Sequence, residues 1–174
     1  MLKKLGGIKI IMEYWDGNKV IWKTKHFILL AVENPFFSRE EGGHIVIQGY
    51  PDKLKYDSRL DLNEKEILEE FTLSQNACKA FKKAMLKAGI DIIRFNFFEA
   101  GNWAWKKSTE GVSSKAYFHL HIFGRTIDAK YQKFPEAPYL PDRSTHFYDN
   151  FVPLNEEDVR NIQEELSHLE NPNI

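Results

Sequence analysis

A chain of 174 residues with 43% hydrophobic content is long enough to bury one core and short for two, so one domain spanning residues 1–174 is expected. Its 24 lysines and arginines nearly cancel 25 aspartates and glutamates, which excludes the bulk basic field that drives binding to extended nucleic acid. No apolar run is long enough to span a bilayer, the segment 1–7 lacks the apolar stretch of a signal peptide, and the lone Cys78 excludes an intrachain disulfide; together these fit a reducing cytoplasm.

The first predicted elements are strands. Ile8 to Trp15 and Lys19 to Lys23 flank the turn-forming Asp16-Gly17-Asn18 and predict a hairpin. Phe27 to Val32 predicts a third strand, stopped at Asn34-Pro35, and a polar connection from Phe36 to Gly43 leads into a strand at His44 to Gln48. The segment 49–60 reads as loop. At Asn63 an amide stands three residues before Glu66, the pattern of a helix start. Ile67, Phe71, Cys78, Phe81 and Met85 then recur at spacings of three and four, with Ser74 in the gap, and predict a helix of about six turns with that stripe on the sheet and Gly89 at its end. Cys78 lies on the stripe and reads as a small core residue, not a nucleophile.

A strand from Ile90 to Phe98 follows, then an aromatic loop from Asn102 to Glu110 holding Trp103 and Trp105, then a strand from Ala116. The loop either packs its indoles against the proline-rich segment 134–141 or acts as a lid over a site. Runs of strands joined by short turns, with helices between, predict an antiparallel α+β sheet. Lys130 to Pro153, rich in proline and aromatics, suits an extended segment laid over the domain, and Asn155 caps a last helix whose Val159, Ile162 and Leu166 form its docking stripe.

The chemistry concentrates in Tyr117-Phe118-His119-Leu120-His121-Ile122-Phe123-Gly124-Arg125. Strand residues alternate between faces, so Phe118, Leu120 and Ile122 point to the core while Tyr117, His119, His121 and Phe123 share the other face. Two imidazoles on a rigid floor can accept and release protons near neutral pH, although an i, i+2 pair also arises in surface strands and hydrogen-bonded cores. Two such histidines could also ligate a metal. Zinc wants three or four ligands, however, one cysteine builds no thiolate cage, and Arg125-Thr126-Ile127 stand where a cupin-like site would carry its glutamate. No metal and no cofactor are expected.

The frame around the pair is more specific than the pair. An apolar-flanked His-x-His followed by Phe-Gly-Arg, about seventy residues after Gly43-His44-Ile45-Val46-Ile47, resembles the histidine triad family of nucleotide-binding hydrolases and transferases, diadenosine polyphosphate hydrolases among them. The resemblance covers roughly residues 20–128 and takes in Leu30-Ala31-Val32-Glu33-Asn34-Pro35, the long helix, Gly101 and the small hydroxyls before the central histidine; residues 129–174 form a C-terminal extension. It implies a histidine-triad-like antiparallel sheet with one long helix packed on it.

It further implies an enzyme acting at the α-phosphate of an adenosine or guanosine phosphate derivative, with His119 as nucleophile and His121 as donor to a phosphate oxygen. Nucleotide contacts are then expected from Asn34 at the ribose, His44 near the α-phosphate, Glu99, Ser113, Ser114 and Tyr117. Each has a plainer reading. Asn34 can be the turn residue before Pro35, His44 a strand-end histidine bonded to backbone, the serines an ordinary polar loop, and Arg125, which could reach a distal phosphate, a solvated charge. The chain departs from the family pattern where Tyr117 replaces the first triad histidine and where the 102–110 loop is longer than usual. A binding or regulatory module is therefore the competing expectation, and a homodimer pairing through the long helix is implied by the resemblance.

Overall fold

The computed structural model describes residues 12–50, 58–99 and 118–169. Its strands are β1 (Tyr14–Trp15), β2 (Asn18–Lys23), β3 (Phe27–Ala31), β4 (His44–Gly49), β5 (Arg94–Phe98) and β6 (His119–Arg125), and its helices α1 (Glu64–Lys87) and α2 (Glu156–Leu169). The six strands form one sheet in the order β1-β2-β3-β4-β6-β5, every neighbouring pair antiparallel. The α+β class and the helix on the sheet are as the sequence predicts. The last described strand thus enters the sheet between β4 and β5, which places the histidines inside the sheet instead of at an edge.

One face of the sheet makes the main core. Leu29, Ile45, Ile47, Leu120 and Ile122 pack with Leu73, Ala77, Ala80, Phe81, Ala84 and Met85 of α1, and Val159, Ile162 and Leu166 of α2 close the same cluster. The stripe expected on α1 is corrected in its first two turns: Ile67 and Phe71 are 43% and 56% exposed, and Glu66 and Glu70 take the buried positions. Each carboxylate has its own partner there. Glu66 accepts the Asn63 N–H at 2.9 Å within a capping box, and Glu70 accepts from the Arg59 guanidinium at 3.2 Å. Burial nevertheless raises the Glu70 pKa against the pull of Arg59. Asn63 Oδ1 accepts in turn from the N–H groups of Lys65 and Glu66. Asn63→Ala should accordingly cost about 1 kcal/mol in thermal unfolding followed by circular dichroism. Cys78 is partly buried against the core, and burial pushes its thiol pKa up to about 12, which suits packing and not nucleophilic chemistry.

Of the two glycines before His44, Gly42 is required by the approach of β6, and Gly43, at φ +83°, by Leu154 and Phe81 of the core. A Cβ on Gly42, at φ +114°, would stand 2.5 Å from the Gly124 carbonyl, and one on Gly124 would stand 2.4 Å from the Gly42 oxygen. Gly42 therefore admits the backbone of the histidine strand.

The segment after β6 is held by buried polar side chains. The Glu41 carboxylate accepts the N–H groups of Lys130, Tyr131 and Gln132 at 2.6, 2.7 and 3.0 Å. Gln132 donates to the carbonyls of Phe36 and Tyr139 and accepts the Tyr139 N–H. Arg39 forms a two-pronged ion pair with Asp158, at 2.6 and 2.8 Å, and Asp158 also shares a reciprocal cap with Asn155 at the start of α2. The extension is laid over the domain, as expected, and its fastening is polar as well as aromatic.

Candidate functional site

Strand register assembles the site. On the face away from the main core, β4 and β6 pair His44 with Phe123, Val46 with His121 and Gln48 with His119. His119 and His121 therefore share a face with His44, as alternation predicts, and their own rings lie 4.9 Å apart, nearly perpendicular. His44 Nε2 and His121 Nδ1 are 2.9 Å apart, a hydrogen bond between residues 77 positions apart in the chain.

The protons on this pair follow from one backbone bond. The Phe36 N–H donates to His44 Nδ1 at 3.2 Å, so that nitrogen carries no proton. Neutral His44 then holds its proton on Nε2 and donates it to His121 Nδ1, which leaves the proton of neutral His121 on Nε2. Both rings are held neutral. Burial, then the neighbouring His121, Arg143 and His119, drive the His44 pKa well below its ordinary value; burial, then His119 and Arg143, lower that of His121 to about 3. The arrangement presents His121 Nε2–H as a fixed donor beside the His119 ring.

Aromatic residues supply much of the burial. Phe36 stacks on His44 with ring centres 5.6 Å apart and meets His121 and Tyr148 edge-on, while Phe37 stacks on Phe123 at 4.4 Å. Arg143 of the extension lies over Phe36 at 4.6 Å and over Tyr148 at 5.3 Å, and donates to the Asn34 carbonyl at 2.7 Å. Its positive charge near the pair opposes a second one on the imidazoles, which is why it depresses both histidines.

These shifts have a sign. An unfolded histidine takes up a proton below about pH 6.5, whereas folded His121 does so near 3. Between those values the unfolded chain binds more protons, so stability is fully present above about pH 6.5 and falls on acidification toward pH 3. Urea midpoints measured across this window should decline in the wild type and decline less steeply in His121→Gln.

The expected site residues do not all converge. His44, His119 and His121 are brought together. Asn34 lies on a neighbouring cleft of about 540 Å³ lined also by Glu33, Arg143, Tyr148 and Asp149. Glu99 is held elsewhere, its carboxylate accepting the Arg59 N–H at 2.9 Å. Arg125 is corrected: it is buried, and its guanidinium donates to Asn96 and to the carbonyls of Gln132, Lys133 and Glu136, so it anchors the extension and reaches no distal phosphate. Ser113, Ser114, Tyr117 and the Trp103–Trp105 loop lie outside the described residues. Phe36 and Arg143 were missed by sequence reading. Phe36 sits in a segment that reads as a polar connection, and nothing local distinguishes Arg143 from any loop arginine. Among the described residues no group of three or more histidine, cysteine or acidic side chains is placed to hold a metal.

No family model matches the chain, and no curated protein matches it. Solved structures do. A HIT-like protein involved in cell-cycle regulation from Bartonella henselae, with an unknown ligand, is 15% identical at a TM-score of 0.51, over 84% of each chain. A hypothetical histidine triad nucleotide-binding protein from Sulfolobus tokodaii is 12% identical at 0.52, over 87% of this chain and 85% of that one. A zinc-bound histidine triad family protein from Mycobacterium smegmatis is 17% identical at 0.50, over 86% and 84%. The likeness is one of fold: this chain has the fold of histidine triad proteins.

Proposed function

We propose that the chain binds a nucleotide on the histidine face of its sheet and transfers or hydrolyses it at the α-phosphorus. The observation that carries this reading is the hydrogen-bonded, neutral His44–His121 pair beside His119, in which the His121 proton is left on Nε2, away from its partner. His119 attacks phosphorus and forms a P–N bond as the bond to the leaving group breaks, the leaving group departing with the electron pair and taking up a proton. Water or another acceptor then displaces the histidine and releases the nucleoside monophosphate. The His121 Nε2–H donates to a non-bridging oxygen on which charge grows, and its placement before the reaction makes that stabilisation effective. Asn34 is assigned to the ribose, and Ser113, Ser114 and Tyr117 to the phosphate and leaving group. Glu99 is left out because its carboxylate is already engaged by Arg59.

The substrate in this proposal is an adenosine or guanosine phosphate derivative carrying a phosphoanhydride, phosphoramidate or phosphoester bond, the setting cytoplasmic and the assembly a homodimer. No described helix is long and apolar enough to cross a membrane. Single-turnover mixing with an adenylyl substrate labelled at the α-phosphate tests the mechanism. An acid-labile nucleotidyl-histidine is expected; nucleotide binding with no such adduct would make the chain a binding module in which Tyr117 marks lost catalysis.

A further inference from the structure

Gln48 stands on β4 directly across from His119 and two residues beyond Val46, which faces His121, so its side chain belongs to the same face as the three histidines. It is 7% exposed, and its Nε2 is buried with no hydrogen-bond partner among the described residues. Around it the face is apolar, since Val20, Ile28, Leu30, Val46 and Tyr50 form a second buried cluster, and Ile28 pairs with Gln48 from the other side. A primary amide in such surroundings is costly when one of its donors is unmade. Four described side chains carry a buried polar atom of this kind, and Gln48 alone lies opposite a histidine of the His-x-His strand.

We propose that Gln48 is a further substrate contact, its carboxamide N–H donating to an oxygen of the phosphoryl group held against His119. This rests on the nucleotide reading of the site. Cross-strand neighbours on one face stand close enough for the amide and the imidazole to meet the same group. The two donors, Gln48 Nε2–H and His121 Nε2–H, would then flank the reacting phosphorus from the two strands that build the face. The amide adds no charge and cannot compete with His119 as a nucleophile, so its part is to orient the group and to share the charge that develops on it. An apolar residue of the same length would fill the space and satisfy the surroundings better. Among the described residues nothing accepts from this donor, and a phosphoryl oxygen against His119 would supply the acceptor.

The test compares adenosine monophosphate with adenosine by calorimetry, using wild type and Gln48→Met. The variant should bind the monophosphate about tenfold more weakly, bind adenosine unchanged, and melt at the same or a higher temperature. Equal loss for both ligands would move the contact to the nucleoside and overturn the assignment, as would unchanged affinity for both. A lower melting temperature with unchanged affinity would make Gln48 a structural residue. Gln48→Glu keeps the shape and adds an anion; it should weaken the monophosphate more than Gln48→Met does and spare adenosine, and equal monophosphate affinity in wild type and Gln48→Glu would sink the proposal even if Gln48→Met does not fold. Failure of the wild type to bind either ligand would remove the nucleotide reading itself, a result distinct from wild-type binding that Gln48 does not influence.

Discussion

Replacing His119 by alanine should lower nucleotidyl transfer by on the order of 10³-fold or more while leaving melting temperature and nucleoside monophosphate binding close to wild type. The proposed reaction passes through a bond to this nitrogen, so its loss leaves only positioning and electrostatics. The side chain is only partly buried, and the described core clusters do not include it, so truncation should open no cavity. His121 and His44 keep their own hydrogen bond in the variant. Removing His119 also removes one of the charges that depress His121, so the neighbouring ring should titrate somewhat higher than in the wild type. Rapid-quench measurement with a labelled adenylyl substrate reads the first effect and nuclear magnetic resonance titration the second. A near-wild-type single-turnover rate would eliminate His119 as nucleophile whatever the titration showed.

The largest stability effect should come from Glu41→Ala. One carboxylate accepts three consecutive backbone N–H groups, is 5% exposed, and supplies a favourable charge to the buried Arg125. Removing it takes a favourable anion from the neighbourhood of Arg125 and orphans three backbone donors, each worth about 1–3 kcal/mol when left unpaired in a buried position. That is a large share of a total in the range of about 5–15 kcal/mol. Urea unfolding should show the midpoint falling, and limited proteolysis should show new cleavage between residues 126 and 153, where the extension would lift. A change below about 1 kcal/mol would mean that aromatic packing, led by Tyr131, Phe147, Tyr148 and Phe151, holds the extension without the carboxylate.

Features governed by neighbours in sequence were legible in the sequence. Asn63 and Glu66 make the capping box their spacing announces, Asn155 and Asp158 do the same for α2, and alternation in β6 sorts Leu120 and Ile122 from His119 and His121. What could not be read depends on partners far along the chain. Glu66 and Glu70 take the buried seam in place of Ile67 and Phe71 with a cap and Arg59 as their partners, which offset part of the cost and which an apolar periodicity does not register. Arg125 reads as a solvated strand end until Asn96 and three carbonyls of the extension surround it. The site divides in the same way. The His-x-His strand is visible as a motif, whereas the hydrogen bond that fixes its tautomer comes from Phe36, and the charge beside it comes from Arg143.

The order of strands has a consequence for synthesis of the chain. β4 and β5 are both complete before β6 emerges, yet in the finished sheet β6 lies between them, and residues 130–158 fasten the result only afterwards. A chain paused on the ribosome before residue 119 holds His44 without either histidine it will face, and the inner edge of β4 stays unpaired. Reactivity is then a property of a nearly finished polypeptide, and the interval before β6 docks is when an exposed, apolar β4 edge is most open to pairing with another nascent chain.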